Sequence, residues 1–274
     1  AMSNTDNFVH LHVHTDYSML DGAAKVGELL DKAVELKMPA LAITDHGNNF
    51  GAFDFWEQAT KKGIKPIIGI EAYLAPGSRF EKSKVQWADG GDDDISKGSY
   101  THLTMLSTDN ESMFNLFKLS SYAWLEGYYF QPRMDRDLLS RYAKGIVATS
   151  GCASGEVQTR LRLGQYEKAL ETAAEFRDIF GKENYFIEIM DHGAGIEKRT
   201  FTDLIRLSKD LGIPLVATND LHYTEPGHAE AQEALLCIQT GTKLSDDRRF
   251  KFDGSGYYLK SAKAMRELFR DFPE

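Results

Sequence analysis

Cysteine is scarce: Cys152 and Cys237 are the only two in 274 residues. So few in so long a chain argue against a disulfide framework and for a reducing, cytoplasmic setting. No apolar run reaches the ~18 residues of a membrane-spanning helix. No basic segment precedes an apolar one, so no secretory signal is read. Positive charge is also short. Lys and Arg total 32 against 41 Asp and Glu, a formal net charge of -9. That excludes a broad basic surface for gripping duplex nucleic acid, but not a small local site for a phosphate. There is no internal repeat and no low-complexity tract.

What is present is a rhythm. Short β-rich runs occupy "FVHLHVH" (8–14), "ALAITDH" (40–46), "PIIGIEAYL" (66–74), "THLTMLS" (101–107), "GIVATSG" (145–151), "NYFIEIM" (184–190) and "PLVATND" (214–220). Amphipathic stretches lie between them, among them Val26 to Leu36, Tyr166 to Phe180 and Arg199 to Leu211. Strand alternating with helix predicts parallel βαβ units, and this many of them suggest a closed α/β barrel. Residues 75–99, rich in Gly, Ser and charge, read as a long loop insertion. Within it, Asp92-Asp93-Asp94 reads as a solvated run. The span 1–274 is expected to be one domain, a piece of a longer protein.

The first run carries His10, His12 and His14 at alternate positions. Alternate residues of a strand share a face. Three imidazoles on one face make a poor apolar core and a good start to a metal site. Only His12 and His14 reach the rim together; His10 sits deeper and is expected to be hydrogen-bonded. In parallel α/β folds ligands bind at the carboxyl ends of the strands. Those ends supply Asp45 and His46, Glu71, Cys152, Glu188 with Asp191 and His192, and Asp220 with His222; the loop after the first run adds Asp21. Such convergence predicts a metal centre. His102 fits less neatly, because it stands near the start of its run.

"HLHVHTDYSMLDG", "ITDHGNNFGAF", "GIEAYL", "THLTML", "SGC" and "ATNDLHY" together resemble the motifs of the polymerase-and-histidinol-phosphatase (PHP) superfamily. In detail they are similar to the PHP domain at the start of bacterial replicative DNA polymerases. The resemblance covers almost the whole chain. It implies a distorted seven-stranded (β/α)7 barrel and a trinuclear centre. His12, His14, Glu71 and Asp220 would hold one metal. Glu71, His102 and Cys152 would hold a second, with Glu71 bridging. Asp21, His46 and His222 would hold a third. Many relatives have His where this chain has Asp21 and Cys152. The thiol shifts the expected metal toward zinc, with manganese or iron as alternatives.

The implied activity is 3′→5′ exonuclease proofreading of a primer end, with Asp220 and Glu71 as catalytic residues. Clustered divalent cations lower the pKa of a coordinated water and clamp phosphoryl oxygens, so a metal-bound hydroxide is the expected nucleophile. Arg133, Asn48 and His192 are candidate substrate contacts, and Asp45 and Glu188 candidate supports. The implied partners are single-stranded or mismatched DNA 3′ ends, the other polymerase domains and, through those, replisome proteins such as the sliding clamp. No membrane contact is expected. No closely spaced catalytic aspartates mark a polymerase centre in this chain. Alternatives are a histidinol-phosphate type phosphatase and a non-catalytic module stabilised by its metals. An amidohydrolase-type barrel fits less well, because its later histidine set has no counterpart here.

Overall fold

The computed structural model describes residues 8–88 and 97–272. Its strands are β1 (Ala40–Ile43), β2 (Lys65–Leu74), β3 (Val85–Gln86), β4 (Lys97–Gly98), β5 (Thr101–Ser107), β6 (Arg133–Met134), β7 (Ile146–Thr149), β8 (Tyr185–Ile189) and β9 (Leu215–Ala217). Its helices are α1 (Val26–Glu35), α2 (Ala52–Lys61), α3 (Asn110–Leu125), α4 (Arg136–Tyr142), α5 (Glu156–Arg162), α6 (Tyr166–Phe180), α7 (Gly195–Leu211), α8 (Ala229–Thr240) and α9 (Ala262–Leu268). The fold is α/β, around one curled sheet.

Local sequence accounts for the helices. In α1, Val26, Leu29, Leu30 and Ala33 are buried, the i, i+3, i+4, i+7 stripe of an amphipathic helix. At the start of α3 the Asp109 carboxylate accepts from Ser112 N at 2.8 Å, and the Ser112 hydroxyl accepts from Asp109 N at 3.0 Å. These bonds close a capping box. α7 begins at Gly195, four residues earlier than the apolar periodicity from Arg199 implies. Among the described residues no helix is long and apolar enough to cross a membrane.

The sheet runs β1-β2-β5-β7-β8-β9, with β6 paired to β2 beside that path. Six of the seven expected runs are therefore strands, and the short β6 supplies another that the pattern did not announce. The expectation of parallel pairing needs correction. β1–β2, β7–β8 and β8–β9 are parallel, but β2–β5 and β5–β7 are antiparallel. Parallel neighbours need a crossover, usually a helix. Between β2 and β5 the described chain forms only the β3–β4 pair and turns, so β5 comes back reversed. That pair also corrects the reading of 75–99 as pure loop. Asp92, Asp93 and Asp94 lie outside the described residues.

The opening run is not a regular strand. It is an extended, bent segment wedged between the two ends of the sheet. His10 O and Val13 O accept from Ala42 N and Thr44 N at 3.1 and 2.9 Å. On its other side His14 N donates to Leu221 O at 2.7 Å, and Leu221 N donates to His12 O at 3.2 Å. This segment thus bridges β1 and the chain just past β9 by backbone hydrogen bonds. Val13 packs with Leu221 and the apolar faces of α1 and α2, while a larger core fills the side of α3 to α7.

Candidate metal centre

β5 resolves the His102 anomaly. Because β5 runs antiparallel to β2 and β7, its start lies at the same rim as their carboxyl ends. His102 Nδ1 comes to 2.9 Å from Glu71 Oε1, near the end of β2. Cys152, just past β7, puts Sγ 3.3 Å from the same Glu71 oxygen and 3.6 Å from His102 Nδ1. The other Glu71 oxygen faces His12 Nε2 at 3.1 Å and His14 Nε2 at 2.8 Å. Asp220 Oδ1 lies 3.2 and 3.3 Å from the same two nitrogens. Ligand atoms of His12, His14, Glu71 and Asp220 all lie within 4.8 Å of one another. So do those of His46, Glu71 and His102, and of His14, His46 and His222. Asp21 Oδ2 stands 2.8 Å from His46 Nε2 and 3.9 Å from His222 Nε2. All nine expected ligands converge, with Glu71 in the middle.

The backbone is shaped to bring them there. Asp21 ends a 3-10 turn, Asp16–Asp21, and is followed by Gly22. A Cβ on Gly22 would sit 1.9 Å from Thr15 O, so the chain closes up only without one. Asp220 has φ of 43°, a left-handed conformation that costs a non-glycine residue energy. The adjacent Asn219 tethers it, donating to Gly256 O at 2.9 Å and Tyr258 O at 2.8 Å.

Three histidines have one ring nitrogen tied outward and the other aimed in. His12 Nδ1 is 2.7 Å from Glu188 Oε1. Glu188 in turn accepts from the Thr149 and Thr218 hydroxyls. His14 Nδ1 is 3.0 Å from Ser18 Oγ, which donates to Asp45 at 2.6 Å. His222 Nδ1 donates to Asp220 O at 2.7 Å. Such outward bonds fix the tautomer and leave the inward Nε2 lone pair for a cation. Asp45 and Glu188 therefore support ligands. Ser18, Thr149, Thr218 and Asn219 share that task and were not anticipated. Their hydroxyls and amide carry no chemistry of their own, and only adjacency, as in "ATND", hints at them.

Electrostatics point the same way. Burial opposes charge on His12, yet Glu188, Asp220 and Glu71 hold its pKa well above the ordinary value. Burial also opposes charge on His14, but Asp220 and Glu71 raise it to about 10. Burial alone would raise Glu71 and Asp220; the surrounding imidazoles hold both carboxyls well below the usual range. Burial, with Glu71 and Asp220 nearby, keeps the Cys152 thiol well above its ordinary value. Burial and the neighbouring His14 push His222 down to about 4. Without a cation, the cluster is held together by protons on His12 and His14. A divalent ion supplies the same positive charge and displaces those protons.

Buried polar atoms normally have hydrogen-bond partners. His14 Nε2, His46 Nδ1 and Asp220 Oδ1 are buried without one, although each lies within 3.3 Å of another ligand atom. These atoms converge on a common centre, where without a cation only protons shared with the carboxylates hold them. Imidazole, carboxylate and thiolate together suit a borderline transition metal. The residues fit the expected ions.

The expected substrate contacts do not survive. Arg133 is fully buried and donates to four carbonyls: Gly127 at 3.0 Å, Ser99 at 3.0 Å, Arg79 at 3.2 Å and Glu81 at 2.9 Å. It fastens loops together and has no face for a phosphate. Asn48 donates to Tyr17 O and His46 O and accepts from Phe50 N, so it shapes the turn after β1. His192 is spent on Glu197 and Asn219 O and stacks on Tyr257 at 3.8 Å. His10, as expected, is buried and bonded, with Nε2 2.8 Å from Lys260 O.

A family model described as PHP domain matches residues 10–192. The chain is 57% identical over 274 residues to the DNA polymerase III subunit alpha of Saccharopolyspora erythraea, covering 96% of this chain and 23% of that protein. It is 56% identical over 269 residues to that of Mycobacterium tuberculosis, covering 97% and 23%. The Helicobacter pylori protein is 38% identical over 283 residues, covering 100% and 22%. The chain thus spans about a quarter of the length of these curated relatives. Solved structures are more distant. A histidinol phosphate phosphatase from Lactococcus lactis gives a TM-score of 0.41 at 12% identity, covering 87% of this chain and 95% of that one. A putative metal-dependent phosphoesterase from Bifidobacterium adolescentis gives 0.44 at 14%, covering 79% and 88%.

Proposed function

The chain belongs to the PHP family, and on that premise we propose that it is a metal-dependent phosphodiesterase that removes nucleotides from DNA 3′ ends, the proofreading part of a cytoplasmic replicative polymerase. The observation that carries this reading is the cluster of His12, His14, His46, Glu71, His102, Asp220 and His222, flanked by Asp21 and Cys152, with its three buried inward atoms. Similarity to polymerase alpha subunits supplies the substrate class. Residues 1–274 act as one domain. Its partners are the remaining polymerase domains and, through them, replisome proteins such as the sliding clamp.

Three divalent ions, zinc foremost, would be held by the three ligand groups around Glu71. When bound they supply Lewis acidity, lowering the pKa of water and neutralising phosphoryl charge. The protein's part is to hold that charge at one point. Glu188 fixes His12, and the Ser18–Asp45 pair fixes His14, so their inward nitrogens need no reorganisation. Asp220 and Glu71 stay ionised across the physiological range, which keeps the ligand set intact. Hydrolysis breaks the bond between phosphorus and the 3′ oxygen, with water adding to phosphorus. The products are a nucleoside 5′-monophosphate and a new 3′ hydroxyl. Net charge of -9 gives the chain little hold on a duplex, so frayed or mismatched ends are favoured.

Primers labelled separately at each end, incubated with the chain and zinc or manganese, test the reading. Stepwise loss from the 3′ end, faster on single strands and mismatches, is expected. Degradation from the 5′ end, or turnover of histidinol phosphate with DNA left intact, overturns it.

A further inference from the structure

A second feature shares a wall with the centre. A cleft of about 300 Å³ opens beside His102, lined by Trp87, Lys97, Tyr100, Ser154 and Arg162 among others. Its volume is at the lower end of the range for small-molecule sites, about 300–1,000 Å³, which leaves no room for a duplex. No Asp or Glu is among the described residues that line it, although the chain as a whole is acidic. Two of its lining residues are cationic. Its aromatic surfaces are held in place. The Tyr100 ring lies parallel to that of His102 within 6°, centroids 6.1 Å apart, and stands edge-on to Tyr73. Trp87 has the Arg160 guanidinium over its ring at 4.6 Å, and its carbonyl accepts from Gln165 at 2.8 Å.

The wall connects cleft and centre. His102 turns Nδ1 toward Glu71 and borders the cleft as well. His102 N donates to Ser154 O at 2.9 Å, pinning the turn that also carries Cys152. Arg162 donates to Ala153 O at 2.8 Å in the same turn. Whatever occupies the cleft therefore lies beside the ligand His102 and against Ser154, two residues on from Cys152.

We propose that this cleft is the seat of the 3′-terminal nucleotide, and so the product site for a nucleoside 5′-monophosphate, with Lys97 and Arg162 attracting its phosphate and Tyr100 facing its base. This rests on the phosphodiesterase reading for the strand, but not for the nucleotide. Base-on-aromatic contact tolerates any sequence, as a proofreading site requires. Cations near an anion in a partly desolvated cleft bind it more strongly than they would in open water.

The test is titration calorimetry of the chain with 2′-deoxyadenosine 5′-monophosphate and with deoxyadenosine, for the unaltered protein, Lys97→Met and Tyr100→Leu. Lys97 is exposed, so its replacement leaves folding intact. We expect Lys97→Met to weaken monophosphate binding about tenfold, the worth of one charged hydrogen bond. Deoxyadenosine binding should be unaffected by it. Tyr100→Leu should weaken both ligands. Metal content should be unchanged in either variant, and KM for a single-stranded oligonucleotide should rise while kcat holds. Monophosphate affinity unchanged in both variants, or no binding by the unaltered protein, overturns the cleft. Lys97-dependent binding without any strand hydrolysis supports the cleft and overturns the exonuclease.

Discussion

Two of the places where the described residues bury charge differ in where the polar atoms point. Around Arg133 a guanidinium meets four backbone carbonyls, and its neighbour Arg79 meets Asp135, Asp137 and Glu126. Every Arg133 nitrogen is used. Around Glu71, imidazoles and carboxylates crowd at 2.8 to 3.3 Å, yet three of their atoms have no hydrogen-bond partner. The first cluster is complete as a protein. The second is complete only with cations. A buried charged residue is by itself no sign of function; a buried ligand atom left unpartnered among others is one.

The largest effect should come from the complete cluster. Arg133→Met strands three buried carbonyls and one partly buried one, each costing about 1–3 kcal/mol if unrescued, and relaxation should leave a net loss of about 3–5 kcal/mol. Urea unfolding measures it. A variant of ordinary stability that no longer cleaves DNA would reverse the comparison and return Arg133 to the substrate.

The second effect concerns the incomplete cluster. Cations that bind only the folded chain should stabilise it, by about 2.7 kcal/mol at a hundredfold excess over Kd. Thermal melts with chelator and with added zinc give the difference. Binding must displace the protons that the carboxylates hold on His12 and His14. The sign is therefore fixed: apparent affinity rises as pH rises through neutrality, and binding releases protons. Equal melting with and without metal, and no ion by elemental analysis, would make the cluster merely structural.

Third, Asp220→Asn keeps the shape of one ligand and removes its charge. Cleavage should fall by at least about tenfold, with only mild change in folding. Full activity in this variant would remove Asp220 from the centre.

The contrast also explains what the sequence made legible. His12, His14, Glu71 and Asp220 could be read because their types are rare at strand ends, and His12 and His14 also because they alternate along one run. His102 could be placed by motif, but its reversed strand could not, since the direction of β5 depends on how residues 75–100 return. The roles of Arg133, Asn48 and His192 were misread for one reason. Their partners are mostly backbone groups, up to 54 residues away for Arg133, and a side-chain pattern does not record those. The irregular opening segment escaped too, because hydrogen bonding on both sides to β1 and Leu221 replaces a regular ladder.

The smallest expected effect lies behind the ligand cluster. Lys260 Nζ donates to Asn219 Oδ1 at 2.8 Å and to Gly256 O, behind the strained Asp220. Burial lowers its pKa to about 8, with Glu197 and Asp191 opposing only in part. Its ordinary value is 10.5, so between these values the unfolded chain holds more protons than the folded one. Stability from this group must then rise with pH across that window, the reverse of a lysine in a favourable ion pair. Below about pH 8 the folded chain carries the full cost of the buried ammonium. Partial exposure should keep the whole effect under about 1 kcal/mol. Lys260→Met removes the titration along with two hydrogen bonds. The unaltered chain should therefore gain stability relative to the variant from pH 8 to 10, on top of a constant offset from the lost bonds. Urea unfolding of both proteins across that range reads the slope. A flat difference would mean that Lys260 titrates normally, and that Asn219 is held by an exposed ammonium and not a buried one.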